Sequence, residues 1–178
     1  TSKITNMNEI FKNSKFNGDI SKWEISNVTN MEWMFFNAKS FNQPVNFDTS
    51  KVTSMEGMFD YAENFNQPLN FDTTNVISME GMFYRANIFN QPIIFDISKA
   101  TIMSYMFDNA KAFLNKYNSG EYLPNYTNEI KEWIINNRDR MNELDIKDKY
   151  GDQIDGFFSN ILLTECNKQS IACKKKDG

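Results

Sequence analysis

The chain contains no histidine, and that absence removes more functional hypotheses than any other feature of its 178 residues. Imidazole is the side chain that changes charge near neutral pH, so histidine-based acid–base catalysis and histidine-liganded metal sites are excluded for this chain alone. Cysteine is almost as scarce. Cys166 and Cys173 are the only two, at a spacing that is no zinc signature; a local disulfide in an oxidising compartment and two free thiols are both open. No run of 18 apolar residues occurs, so no segment reads as a membrane span. Charge of one sign is missing too. The formal net charge is −4, with 9 basic and 12 acidic residues up to Leu114 and 10 and 11 after it, too even a balance for a nucleic-acid-binding half. Neither a glycine-rich phosphate cradle nor a nucleophile motif appears. The chain opens mid-unit at Thr1 without an initiator methionine, which suggests processing or truncation and makes the lack of a signal peptide uninformative.

What is present is repetition. Met31-Glu-Trp-Met-Phe-Phe-Asn-Ala leads to Phe41-Asn-Gln-Pro-Val-Asn-Phe-Asp, and the same sentence restarts at Met55 and Met79 with a period of 24 residues. Met7 with Ile10 and Phe11 opens an earlier copy, and Met103 with Met106 and Phe107 a later one. The earliest copy is one residue short near Phe16, so Trp23 and Glu24 fall where Phe47 and Asp48 stand in the next. A fixed period of this length is the signature of a solenoid, whose units cannot bury an apolar face alone but can when stacked.

Two apolar periods alternate inside each unit. Met55, Met58, Phe59 and Ala62 have the spacing of one helix face, and Leu69 and Phe71 alternate with Asn70 and Asp72 as in a strand buried on one side. Thr29-Asn30-Met31-Glu32 and Thr53-Ser54-Met55-Glu56 read as capping boxes that start the short helices. Pro44, Pro68 and Pro92 sit just ahead of each strand, where no ladder donor is lost. Stacking then makes the core a set of columns, among them Phe41/Phe65/Phe89/Phe113, Phe35/Phe59/Phe83/Phe107 and Phe47/Phe71/Phe95.

The pattern stops after Phe113. A connecting loop is expected over 116–125, then an amphipathic helix from an N-cap at Thr127 to about 143–145 and a second from Gly151 to about Cys166, both suited to closing the open end of a stack. The division is therefore a repeat domain over 1–114 and a helical C-terminal cap with a basic tail over 115–178.

Candidate recognition residues follow from register. Glu24, Asp48, Asp72 and Asp96 form one acidic row at the sheet edge, either a stripe for a cation or basic partner or carboxylates held by turn amides one or two residues on. Lys22, Asn46, Asn70 and Ile94 vary on an otherwise repeated surface, which is where recognition is written. The Asn42/Asn66/Asn90 and Gln43/Gln67/Gln91 columns read as structural polar ladders. The stretch 145–156 looks like a calcium loop only superficially, because lysines at its third and fifth positions and Tyr150 at the glycine position rule it out.

Val52-Thr-Ser-Met-Glu-Gly-Met-Phe followed by Phe65-Asn-Gln-Pro-Leu-Asn-Phe-Asp-Thr resembles the mycoplasma-type branch of the BspA-like leucine-rich repeats. The resemblance covers roughly residues 1–114. It implies an α/β solenoid, a right-handed superhelix of strand-plus-short-helix units with a parallel sheet on one face. Many members of that family are surface-exposed or lipid-anchored, some being adhesins for host extracellular proteins, and similar repeats occur in large DNA viruses and protists. The family has no catalytic residues to carry over. The expectation is a non-enzymatic protein-binding module without cofactor or metal, at the cell surface or outside the cell. The alternative is a structural or cement component of a virion or envelope, or a cytoplasmic location, with the C-terminal helices making the contacts.

Overall fold

The computed structural model describes residues 3–93, 95–103 and 105–113. The expected C-terminal helices, Cys166, Cys173 and the candidate position Ile94 lie outside these residues.

The 24-residue register organises the backbone. Parallel bridges join Asn6 to Asn30, Asn30 to Ser54, Ser54 to Ser78 and Ser78 to Ile102. Thr29, Thr53, Ile77 and Thr101 donate their amides back to residues 5, 29, 53 and 77, at 2.8–2.9 Å. Two residues later the direction reverses, and Met31, Met55 and Met79 donate forward to Ser54, Ser78 and Ile102 at 3.1, 2.9 and 2.9 Å. Apart from these isolated bridges and a helical turn at 111–113, the described residues hold turns and irregular chain.

The stretch from Met55 to Ala62 is a run of tight turns, not the helix that its spacing suggests. Gly57 and Tyr61 adopt left-handed φ of 56° and 55°, and a left-handed residue at every fourth position stops a helix from propagating. The amides of Met58, Asp60 and Ala62 close turns onto Met55, Gly57 and Phe59, at 3.2, 3.1 and 3.0 Å. Those of Gly57, Phe59 and Tyr61 bond Glu80, Met82 and Tyr84 of the next unit at 2.8, 2.9 and 2.8 Å. Trp33 with Asn37 and Gly81 with Arg85 repeat the left-handed pair. Met55, Met58, Phe59 and Ala62 are nevertheless all buried, because consecutive turns return the chain to the core at the positions a helix face would occupy.

The expected capping boxes are also replaced. The hydroxyls of Thr29 and Thr53 donate to the carbonyls of Thr5 and Thr29, 24 residues earlier, at 3.2 and 3.1 Å. They tie unit to unit instead of starting a helix.

The core is two interleaved stacks of phenylalanine rings. Phe11, Phe35, Phe59, Phe83 and Phe107 stand 5.4–5.8 Å apart, neighbouring rings lying 1–11° from parallel. Phe41, Phe65, Phe89 and Phe113 form the second column at 6.0 Å, and the two touch at 4.0–4.2 Å within each unit. Near-parallel rings at these centroid distances are the offset stacks that aromatic quadrupoles favour.

On the segments expected to be strands, burial alternates: Val45, Phe47, Leu69 and Phe71 are buried while Asn46 and Asn70 are exposed. The recorded backbone bonds between units fall on the turn segments and not on 45–47 or 69–71. Side chains join the units on this side. Asn42 Oδ1 accepts the Asn66 amide at 2.9 Å and Asn66 Oδ1 the Asn90 amide at 3.0 Å, and the Nε2 groups of Gln67 and Gln91 donate to the same two oxygens at 3.1 and 3.0 Å. Each asparagine oxygen therefore bonds the next asparagine's backbone amide and the neighbouring glutamine side chain, instead of pairing identical side-chain amides as the ladder reading supposed. Proline before each such segment explains part of this, since it supplies no donor.

Candidate recognition surfaces

Asp48, Asp72 and Asp96 are exposed and come together in one row, as their register requires. Each closes its own turn. Asp48 Oδ1 accepts the amide and hydroxyl of Ser50 at 3.1 and 2.7 Å, Asp72 Oδ1 those of Thr74 at 3.0 and 2.6 Å, and Asp96 Oδ1 the amide of Ser98 at 2.8 Å. These bonds, the hydroxyl's foremost, hold the carboxyls of Asp48 and Asp72 below the usual range, and Asp48 is close enough to Asp72 to push slightly the other way. Of the two readings of this row, the turn-amide one is met at all three aspartates. Asp19 makes the same kind of local turn, to the Ser21 amide at 2.8 Å, whereas Glu24, in register with Asp48, is exposed.

Lys22, Asn46 and Asn70 are exposed. Trp23, in register with Phe47, is 39% exposed against 6% for Phe47. It leans on Phe11 at 5.5 Å.

Sequence reasoning missed a second surface on the turn segments. At three positions the Met-Glu-x-Met-Phe-x-x-Ala sentence, otherwise constant but for Ser104 in place of glutamate, varies: Trp33, Gly57, Gly81 and Tyr105; Phe36, Asp60, Tyr84 and Asp108; Asn37, Tyr61, Arg85 and Asn109. The same signal that marks Lys22, Asn46 and Asn70, variation within a repeated surface, marks these positions too. Trp33 meets Phe36 edge-on at 5.3 Å, Phe36 meets Tyr61 at 6.1 Å, and Tyr61 meets Tyr84 at 5.7 Å. Cations flank this stripe. The Arg85 guanidinium stands 5.0 Å from the Tyr61 ring and 5.2 Å from the Tyr84 ring and bonds the Tyr61 hydroxyl, while Lys12 Nζ lies 5.4 Å from Phe36 and pairs with Glu9. Cation–π geometry of this kind holds long charged side chains against aromatic faces.

Asp60 sits within the stripe. It is 7% exposed, and its Oδ1 is buried without a hydrogen-bond partner. Burial pushes its carboxyl up to about 7, an effect the Arg85 charge only partly offsets. Alongside run Glu32, Glu56 and Glu80, where burial and the two neighbouring carboxylates raise Glu56.

Among the described residues no group of three or more acidic, cysteine or histidine side chains is placed to hold a metal ion, and no helix is long and apolar enough to cross a membrane. Bridges and backbone hydrogen bonds thus register each 24-residue unit on the next. The chain belongs to DUF285, a family described as Mycoplasma protein of unknown function, whose model matches residues 1–70 and again 45–144. The two overlapping matches together extend past Leu114, where the sequence repeat was expected to stop. No curated protein and no solved structure matches the chain significantly.

Proposed function

We propose that the chain is a BspA-like leucine-rich-repeat solenoid acting as a non-catalytic protein-binding module at the cell surface. The observation that carries this reading is the stripe of Trp33, Phe36, Tyr61, Tyr84 and Arg85 across three successive units. Its rings lie 5.3–6.1 Å from one another, and none is fully buried. Aromatic and arginine side chains are the residues that concentrate binding energy in protein interfaces. Trp33, Tyr61 and Arg85 hold left-handed φ of 57°, 55° and 55°, as the corresponding turn positions of the other units do, so the repeated turn presents them at matching places. Lys22, Asn46 and Asn70, exposed on the other face, form a subsidiary candidate surface.

The test is saturable binding of the full chain to a panel of immobilised extracellular proteins, followed by interferometry. Tyr61→Ala and Arg85→Ala are expected to weaken any such binding by about tenfold or more, with Asn46→Ala and Asn70→Ala as the contrasting pair. If the contrasting pair alone weakens binding, the recognition face is the one first expected from sequence. If no panel protein binds saturably, the module reading fails.

A further inference from the structure

The earliest polar rung differs from those that follow. Asn42, Asn66 and Asn90 are each succeeded by glutamine and proline, whereas Asn17 is succeeded by Gly18, the only Asn-Gly pair in the 178 residues. Asn17 nevertheless holds a place in the ladder. Its Oδ1 accepts the Asn42 amide at 2.9 Å and Gln43 Nε2 at 3.3 Å, the same two donors that Asn42 Oδ1 receives from Asn66 and Gln67. The spacing is 25 residues here against 24 there, although the earliest copy is one residue short near Phe16. Asn17 is also exposed, while Asn42, Asn66 and Asn90 are half-buried. Among the described residues its Nδ2 donates to no group, and the amides of Asn17, Gly18 and Asp19 have no acceptor. No amide hydrogen bond therefore resists the rotation that carries the Gly18 nitrogen towards the Asn17 side chain. Gly18 brings no Cβ to hinder that approach; the Phe16 ring occupies the place a Cβ would take, 2.7 Å away.

We propose that Asn17-Gly18 is a self-modification site, at which the chain closes a succinimide and water then converts the amide rung into a carboxylate. The Gly18 nitrogen attacks Asn17 Cγ and gives its proton to solvent. A new N–Cγ bond replaces the Cγ–Nδ2 bond, and Nδ2 leaves as ammonia. The two N–H donors on Oδ1 lie where negative charge collects during the attack, and the departing nitrogen is the atom that the ladder leaves unbound. Water opens the ring at either carbonyl, and no electron is transferred. Opening at Cγ leaves an aspartyl residue, which keeps an acceptor oxygen for Asn42 and Gln43 and adds a negative charge. Opening at the main-chain carbonyl leaves an isoaspartyl link, in which Cβ and Cγ join the backbone. That link lengthens the chain by one methylene and draws the Cγ oxygen away from its donors, so the earliest rung is unhooked. The proposal is independent of the protein-binding reading above.

The test is incubation of the full chain at pH 8 and at pH 5, followed by peptide mass mapping, an ammonia assay and NMR of the backbone amides. Position 17 is expected to exchange amino for hydroxyl about tenfold or more faster than Asn42, Asn66 or Asn90. Conversion should be faster at pH 8, because the attacking nitrogen must lose its proton, and should release one ammonia each time and yield both aspartyl and isoaspartyl peptides. The Asn42 amide resonance should move as conversion proceeds. Asn17→Gln, whose longer side chain would have to close a six-membered ring, should keep its mass and its Asn42 resonance through the same incubation. Conversion at position 17 no faster than at the three later asparagines overturns the proposal. So does an aspartyl product alone, which means direct hydrolysis, or an equal rate in Asn17→Gln. An Asn42 resonance that stays in place in the converted chain overturns the unhooking of the rung.

Discussion

Trp33 lies across Gly57, one unit away, so closely that a Cβ added to the glycine would stand 2.6 Å from the indole Cε3. A large side chain in one unit is answered by the smallest in the next, at a position that also needs a φ of 56°. Gly57→Ala therefore meets both strain and collision and should cost roughly 2–4 kcal/mol, whereas Gly81→Ala, at φ 57° with open space beside it, should cost only about 1–2 kcal/mol from strain. Urea denaturation of the two variants checks the difference. Equal losses would mean that Trp33 does not rest on Gly57 in solution.

Removing one ring from the interleaved stack should be felt on three sides. Phe59 touches Phe35 at 5.4 Å, Phe83 at 5.8 Å and Phe65 at 4.0 Å, and Phe59→Ala is expected to cost about 3–5 kcal/mol. Chemical denaturation monitored by far-UV circular dichroism would give the value; a loss under 1 kcal/mol would contradict a packed column.

Asn66 provides the acceptor for two donors of the following unit, the Asn90 amide and Gln91 Nε2, both at 3.0 Å. Asn66→Ala removes the acceptor of the Asn90 amide, while Gln91 Nε2 keeps the Asn66 carbonyl at 3.2 Å, at a cost of about 1–3 kcal/mol. Asn66→Asp keeps an acceptor oxygen at the same place and should lose less. The ranking of the two melting temperatures decides whether the oxygen or the whole amide matters.

Stability should peak in mildly acid solution. The Asp60 carboxyl is raised to about 7 from 3.8, so its contribution is fully present below its unfolded value and is lost as pH climbs through about 7. Asp19, Asp48 and Asp72 are lowered by their turn bonds, so their contribution is present above the ordinary carboxylate value and lost as pH falls below it. Asp60→Asn should flatten the alkaline limb between pH 4 and about 7 and leave the acid limb alone. Thermal melts across pH 3–9 would show it, and an unchanged alkaline limb would remove Asp60 as its source.

Much of this was legible beforehand at the level of which residues face inward. Phe35, Phe59 and Phe83, and likewise Phe41, Phe65 and Phe89, could be aligned by the period, because stacked units put identical side chains over one another whatever the backbone does between them. The Asp48, Asp72 and Asp96 turns were legible as well, since an aspartate two residues before a serine or threonine amide needs only local geometry. The helical reading of 55–62 was not. Met55, Met58, Phe59 and Ala62 satisfy a helix face and a run of turns equally, and Tyr61 and Arg85 give no local sign of a left-handed φ.

Sequence alone settled the period, the inward residues and the membership of the columns, because these depend on spacing and on the free energy of burying apolar groups. Only the folded chain decided where the inter-unit backbone bonds run and what Trp33, Asp60 and Arg85 meet. Those contacts between units join residues about one repeat apart through the rotation of each turn, which no window of neighbouring residues encodes. A carboxylate left without a donor is a property of its surroundings, and the surroundings exist only after the units stack.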